Sequence, residues 1–117
     1  MPHTVLIVDD HASFRASARL LLETEGFDVV GEADSGAAAL KAARELEPEL
    51  VLLDVHLPDV DGFDVASRLT GMDPHPMVVL TSSRDGADFG PLVSRSGARG
   101  FVPKSELSGE LITALIE

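Results

Sequence analysis

The sequence predicts an α/β fold in which an open, doubly wound sheet of five parallel strands carries helices on both faces. Two observations predict it: short, unbroken apolar runs rich in Val, Ile and Leu, and segments of helical period between them. Thr4–Val8, Leu50–Leu53 and Met77–Leu80 show no polar alternation and read as central strands covered on both sides. Asp28–Ala33 is more polar, and Gly100–Pro103 is short and includes a proline that cannot donate to a ladder, so these two read as edge strands.

The helices follow in order. Phe14, Ala18, Leu21 and Leu22 recur at helical spacing, and Gly26 supplies a stop. Ser35 can cap a second, alanine-rich helix that Pro48 closes, and Asp61 can cap a third with Val65, Ala66 and Leu69 on one face. Gly86, Gly90 and Pro91 crowd the segment after Thr81, so the fourth helix is expected to start near Phe89. A last helix starts at Ser105 or Ser108, with Leu111, Ile112 and Leu115 facing inward. Gly71–Pro76 reads as a loop and not as a domain boundary.

Composition narrows the function. A chain of 117 residues with 44% apolar content fits one domain, 1–117, with one core. A net charge of −11 repels phosphate backbones and anionic lipid, so neither direct nucleic-acid contact nor membrane binding is expected. The absence of cysteine rules out disulfides and thiolate metal sites, and no run approaches a signal peptide or a membrane span, so a cytoplasmic protein is expected. His3, His11, His56 and His75 lack ligand spacing and read as surface or loop residues.

Chemistry concentrates at the strand ends. Strict strand–helix alternation with right-handed crossovers brings every strand's carboxyl end to one edge. In the flavodoxin-like order 2-1-3-4-5, strands one and three are neighbours and ligands bind at their switch point. Asp9, Asp10 and Asp54 would meet there, with Thr81 and Lys104 from strands four and five. Like charges a few ångströms apart are unfavourable without a cation between them, and hard oxygen donors suit Mg²⁺, with Mn²⁺ as the other candidate. Taken singly, an Asp pair after a strand is a solvated turn or cap, Lys104 a surface charge, Thr81 a turn residue and Phe101 packing; their shared edge is what raises them. Asp59-Val60-Asp61-Gly62 does not form a calcium loop, because Val65 stands where the bidentate acid is required.

Val8-Asp9-Asp10-His11, Leu52-Leu53-Asp54-Val55-His56-Leu57-Pro58, Val79-Leu80-Thr81-Ser82 and Phe101-Val102-Pro103-Lys104 together resemble the receiver domain of two-component response regulators. The resemblance covers the whole chain. Phe14-Arg15 and Gly97-Ala98-Arg99-Gly100-Phe101 look most like receivers that precede helix-turn-helix output domains. It implies that Asp54 accepts a phosphoryl group from a sensor histidine kinase, and that Asp10 and Asp54 bind Mg²⁺ directly with the backbone carbonyl of His56, Asp9 acting mainly through water. It further implies that Thr81 and Lys104 contact phosphoryl oxygens and that Phe101 follows the switch.

The protein is then not an enzyme beyond its own phosphoryl transfer and hydrolysis, and it controls an output domain or partner, homodimerisation on activation being one form of output. His56 and Ser83 stand where side chains affect water access to the phosphoryl group. Departures from the family pattern are Ser105 in place of a proline after Lys104, which leaves the cis or trans state of that bond open, and Phe101 in place of tyrosine. Two other readings are a phosphorylation-independent interaction domain and a small Mg²⁺-dependent aspartyl phosphatase; the latter lacks a second acid two residues past Asp54.

Overall fold

In the computed structural model, which describes residues 3–83 and 89–117, strands and helices alternate along the chain. β1 (Thr4–Val8), α1 (Ala12–Thr24), β2 (Asp28–Ala33), α2 (Gly36–Leu46) and β3 (Leu50–Asp54) form the first half. α3 (Gly62–Thr70), β4 (Met77–Ser82), α4 (Gly90–Ser96), β5 (Gly100–Pro103) and α5 (Gly109–Ile116) complete it. The strands pair in parallel in the order β2-β1-β3-β4-β5, so the more polar β2 and the short, proline-bearing β5 lie at the edges as expected.

The unbroken apolar runs hide a period of two that the fold exposes. Leu6, Val8, Val51, Leu53, Val78 and Leu80 face one side with Ala39 and Ala43 of α2 and Val65, Ala66 and Leu69 of α3. Val5, Ile7, Leu50, Leu52, Val79 and Val102 face the other with Ala18 and Leu22 of α1 and Ile112 and Ile116 of α5. Each fully buried Leu or Ile contributes about 1.5–3 kcal/mol by leaving water, so two apolar layers clamp the sheet and fix its register.

Local chemistry sets the boundaries. Gly26 takes φ 96°, a left-handed conformation that ends the segment after α1 at little cost. Ser35 accepts from the Ala38 amide, Asp61 from the Phe63 amide and Ser108 from the Leu111 amide, each capping a helix start. Ser108 rather than Ser105 therefore begins the last helix, and Ser105 lies in a 3₁₀ turn over Lys104–Glu106. α4 begins at Gly90 with Phe89 at its N-cap and Pro91 in its first turn, as expected; Gly86 lies outside the described residues.

One inward assignment is corrected. Leu111 is 43% exposed, because Ile112 and Ile116, four residues apart, define the buried stripe of α5 and rotate Leu111 off it. The only cis peptide among the described residues is Asp73–Pro74, so the bond after Lys104, which the sequence left open, is trans.

Candidate functional site

Strand register brings the acids together. Val8 pairs with Leu53, so Asp9 leaves β1 level with Asp54 at the end of β3, and Asp54 itself pairs with Thr81. Ser82 pairs with Pro103 on β5, which places Lys104 one residue beyond the same edge. Asp9 and Asp54 are nearly inaccessible, at 0% and 3% exposure, whereas Asp10 lies further out. Gly62 closes the loop after β3: its amide donates to the Val55 carbonyl, and a side chain there would collide with the Asp54 and Val55 backbone.

Lys104 Nζ bridges the two buried carboxylates, 2.6 Å from Asp9 Oδ2 and 3.2 Å from Asp54 Oδ2, and lies 4.4 Å from the centroid of the Phe14 ring. The other oxygens are held by main chain: the His11 amide donates to Asp9 Oδ1 at 2.8 Å and the His56 amide to Asp54 Oδ1 at 2.9 Å. Arg15 donates to the Asp9 carbonyl at 2.6 Å, which fixes the backbone behind the cluster.

The charges respond unequally. Burial pushes the Asp54 carboxyl above its ordinary range, the neighbouring Asp9 charge adds to this, and the His56 amide and Lys104 oppose it. Burial also works against the Asp9 charge, but Lys104 and the His11 amide outweigh it and hold that carboxyl below its ordinary value. Burial would lower the Lys104 ammonium; the two carboxylates raise it instead. One ammonium thus faces two buried acids, and the cluster has room for more positive charge.

A divalent cation fits this donor set. Asp9, Asp10, His11 and Asp54 each offer one ligand atom, and all four lie within 4.8 Å of one another. Asp9 Oδ2 is buried and lies 2.6 Å from the Lys104 ammonium, which it shares with Asp54 Oδ2. Buried carboxylates are costly to leave half-compensated, and a divalent cation would supply the remaining positive charge.

The far wall is apolar and turned away from the acids. Thr81 is buried, and its hydroxyl donates to the Val102 carbonyl on β5 at 2.7 Å, not into the crevice. Phe101 is half-buried and its ring meets Phe89 at 5.7 Å; Phe89 in turn meets Phe63 at 5.5 Å and His56 at 6.2 Å. A row of rings therefore runs from α3 through the start of α4 to β5.

Residues 5–116 match the family described as the response regulator receiver domain. The chain belongs to that family. This receiver is 42% identical over 114 residues to BvgA of Bordetella pertussis, covering 97% of this chain and 54% of that protein. It is 37% identical over 112 residues to the response regulator GacA of Pseudomonas aeruginosa, covering 95% of this chain and 52% of that one. The first is named a positive transcription regulator of virulence factors and the second a response regulator, and the receiver spans about half of their length. Among solved structures, a LuxR-family two-component response regulator from Aurantimonas sp. SI85-9A1 superposes with a TM-score of 0.88 at 29% identity, over 99% of this chain and 84% of that one.

The receiver gathers Asp9, Asp10, Asp54 and Lys104 as the sequence predicts, and places Thr81 and Phe101 beside them with their polar or aromatic groups engaged elsewhere. His11, expected to be a surface residue, joins the cluster: its Nδ1 lies 3.0 Å from Asp10 Oδ1 and 3.1 Å from Asp9 Oδ1. Its position directly after the Asp pair was the only signal for this. Asp59, given no role of its own by the sequence, accepts from the Gly36 and Ala37 amides at 2.8 and 3.1 Å, capping α2 from the loop after β3. Those amides hold its carboxyl below the ordinary range.

Proposed function

We propose that this receiver, over residues 1–117, is a switch operated by phosphorylation of Asp54. A carboxylate oxygen of Asp54 forms a bond to phosphorus as the P–N bond to a sensor kinase phosphohistidine breaks, its electron pair returning to the imidazole. The observation that carries the reading is the convergence of a buried Asp54 with Asp9 and Lys104 in one crevice, Lys104 Nζ lying 3.2 Å from Asp54 Oδ2. When bound, Mg²⁺ neutralises charge on the arriving phosphoryl oxygens, held by Asp10, Asp54 and the His56 backbone carbonyl, with Asp9 acting mainly through water.

The chain's own residues then respond. The product adds about −1.5 to −2 charge at pH 7. Lys104 Nζ, already 3.2 Å from Asp54 Oδ2, moves onto the new anion. Thr81 gives up the Val102 carbonyl to donate to a phosphoryl oxygen, and Phe101, held laterally by ring contact with Phe89, follows into the space released. Moving such an equilibrium from 1:99 to 99:1 requires about 5.5 kcal/mol of differential binding, which two or three charge-assisted contacts at about 1.5–3 kcal/mol each supply.

The relatives' extra length supports an output region governed by this surface, in a cytoplasmic two-component pathway; dimerisation is one form that control takes. His56 and Ser83, both exposed near Asp54 and Thr81, govern water access to the acyl phosphate. The test is incubation with Mg²⁺ and acetyl phosphate followed by intact-mass measurement on wild type and Asp54→Asn. A phosphoryl mass gain confined to wild type is expected. No gain in either, with no metal-dependent spectral change, would leave a static interaction module, and repeated turnover of a phosphomonoester would make the domain a phosphatase.

A further inference from the structure

We propose that the imidazole of His11 is a ligand of the cation site, so that the crevice favours first-row transition ions such as Mn²⁺, Co²⁺ and Zn²⁺ more than its carboxylates alone would. This rests on the reading that Asp9, Asp10 and Asp54 hold a divalent ion. His11 Nδ1 sits between two of those acids, 3.0 Å from Asp10 Oδ1 and 3.1 Å from Asp9 Oδ1. All four ligand atoms fall within 4.8 Å. Opposite ligands at about 2.1–2.2 Å from an ion lie about 4.3 Å apart, so the cluster closes on one by shifts of a few tenths of an ångström.

Two further features point the same way. Asp9 Oδ2 is buried and shares the one Lys104 ammonium with Asp54, so the acids of the crevice carry more negative charge than that ammonium offsets. The His11 ring is free to serve: it is the N-cap residue of α1 yet makes no side-chain cap bond, and its side chain is 66% exposed. Its contacts among the described residues are with those two carboxylates. Mg²⁺ gains little from an imidazole, whereas Co²⁺ and Zn²⁺ bind one well, and affinity rises along the series from Mn²⁺ to Co²⁺ for a given nitrogen and oxygen site. The carboxylates supply charge, and His11 supplies discrimination. The other nearby imidazole, His56, packs against Phe89 and is not in the cluster.

Pulsed electron paramagnetic resonance of bound Mn²⁺ tests this without phosphorylation. Wild type is expected to show hyperfine coupling to a directly bound imidazole nitrogen, lost in His11→Ala and retained in His56→Ala, which keeps its main chain. By calorimetry the ratio of Co²⁺ to Mg²⁺ affinity should fall about tenfold or more in His11→Ala, the loss seen on removing even outer partners of a metal site. A urea midpoint matching wild type would show that the variant is folded. Mn²⁺ bound without nitrogen coupling, or coupling that survives His11→Ala, overturns the His11 assignment and leaves the carboxylate site standing. Absence of Mn²⁺ binding to wild type overturns both.

Discussion

Asp54 carries its negative charge against the fold. Its carboxyl is raised by burial and by Asp9, so the folded state retains a proton that the unfolded chain has released. At pH well above that raised value, without metal, its ionisation lowers stability; below the ordinary value of 3.8 the penalty vanishes. Asp54→Asn should therefore raise the urea midpoint at neutral pH, and the gap should close as pH falls toward 3.8, measured by fluorescence-free circular dichroism titrations in parallel. A gap that widened on acidification would contradict this sign. Thr81→Ala removes the buried donor to the Val102 carbonyl and should cost about 1–2 kcal/mol, with Thr81→Ser retaining most of it. These side-chain commitments were not legible in the sequence: residue type places Thr81 at the edge, but its rotamer is settled by an acceptor 21 positions away.

Helix α2 shows how an element can be held twice. Its first turn is satisfied by Ser35 on the Ala38 amide and by Asp59 on the Gly36 and Ala37 amides. Ser35→Ala should cost about 1 kcal/mol in urea unfolding, with the helix still formed because Asp59 keeps its hold. Because the Asp59 carboxyl is held low, its contribution is present above the ordinary carboxylate range and lost as pH falls through its folded value. Caps from the adjacent residue, such as Ser35, Asp61 and Ser108, are readable in sequence since donor and acceptor are neighbours. Asp59 is not, since it joins residues 22 and 23 positions apart. Leu111 was misread for a related reason: Leu111, Ile112, Leu115 and Ile116 crowd one short helix and fit more than one stripe, and only packing against β4 and β5 selects Ile112 and Ile116.

At the scale of the molecule, the strand order and the converging acids were readable because both follow from periodicity and handedness, which no side-chain detail can alter. The net charge of −11 makes the chain repel itself, so monovalent salt should stabilise it modestly by screening. Mg²⁺ at about 100 times its dissociation constant should add about 2.7 kcal/mol, measured as a shift in thermal midpoint at constant ionic strength. Asp10→Asn should remove most of that increment and leave the salt response intact. Equal responses to Mg²⁺ and to ionic strength would deny a specific site. The Asp59 tether also gives the crevice two unlike banks. On the α2 side the loop after β3 is stapled by directed bonds to a helix terminus, while on the α4 side Phe63, Phe89 and Phe101 merely lean on one another. Rings can slide where amides cannot, so a push delivered at Asp54 would travel toward α4 and β5, and α2 would serve as the anvil.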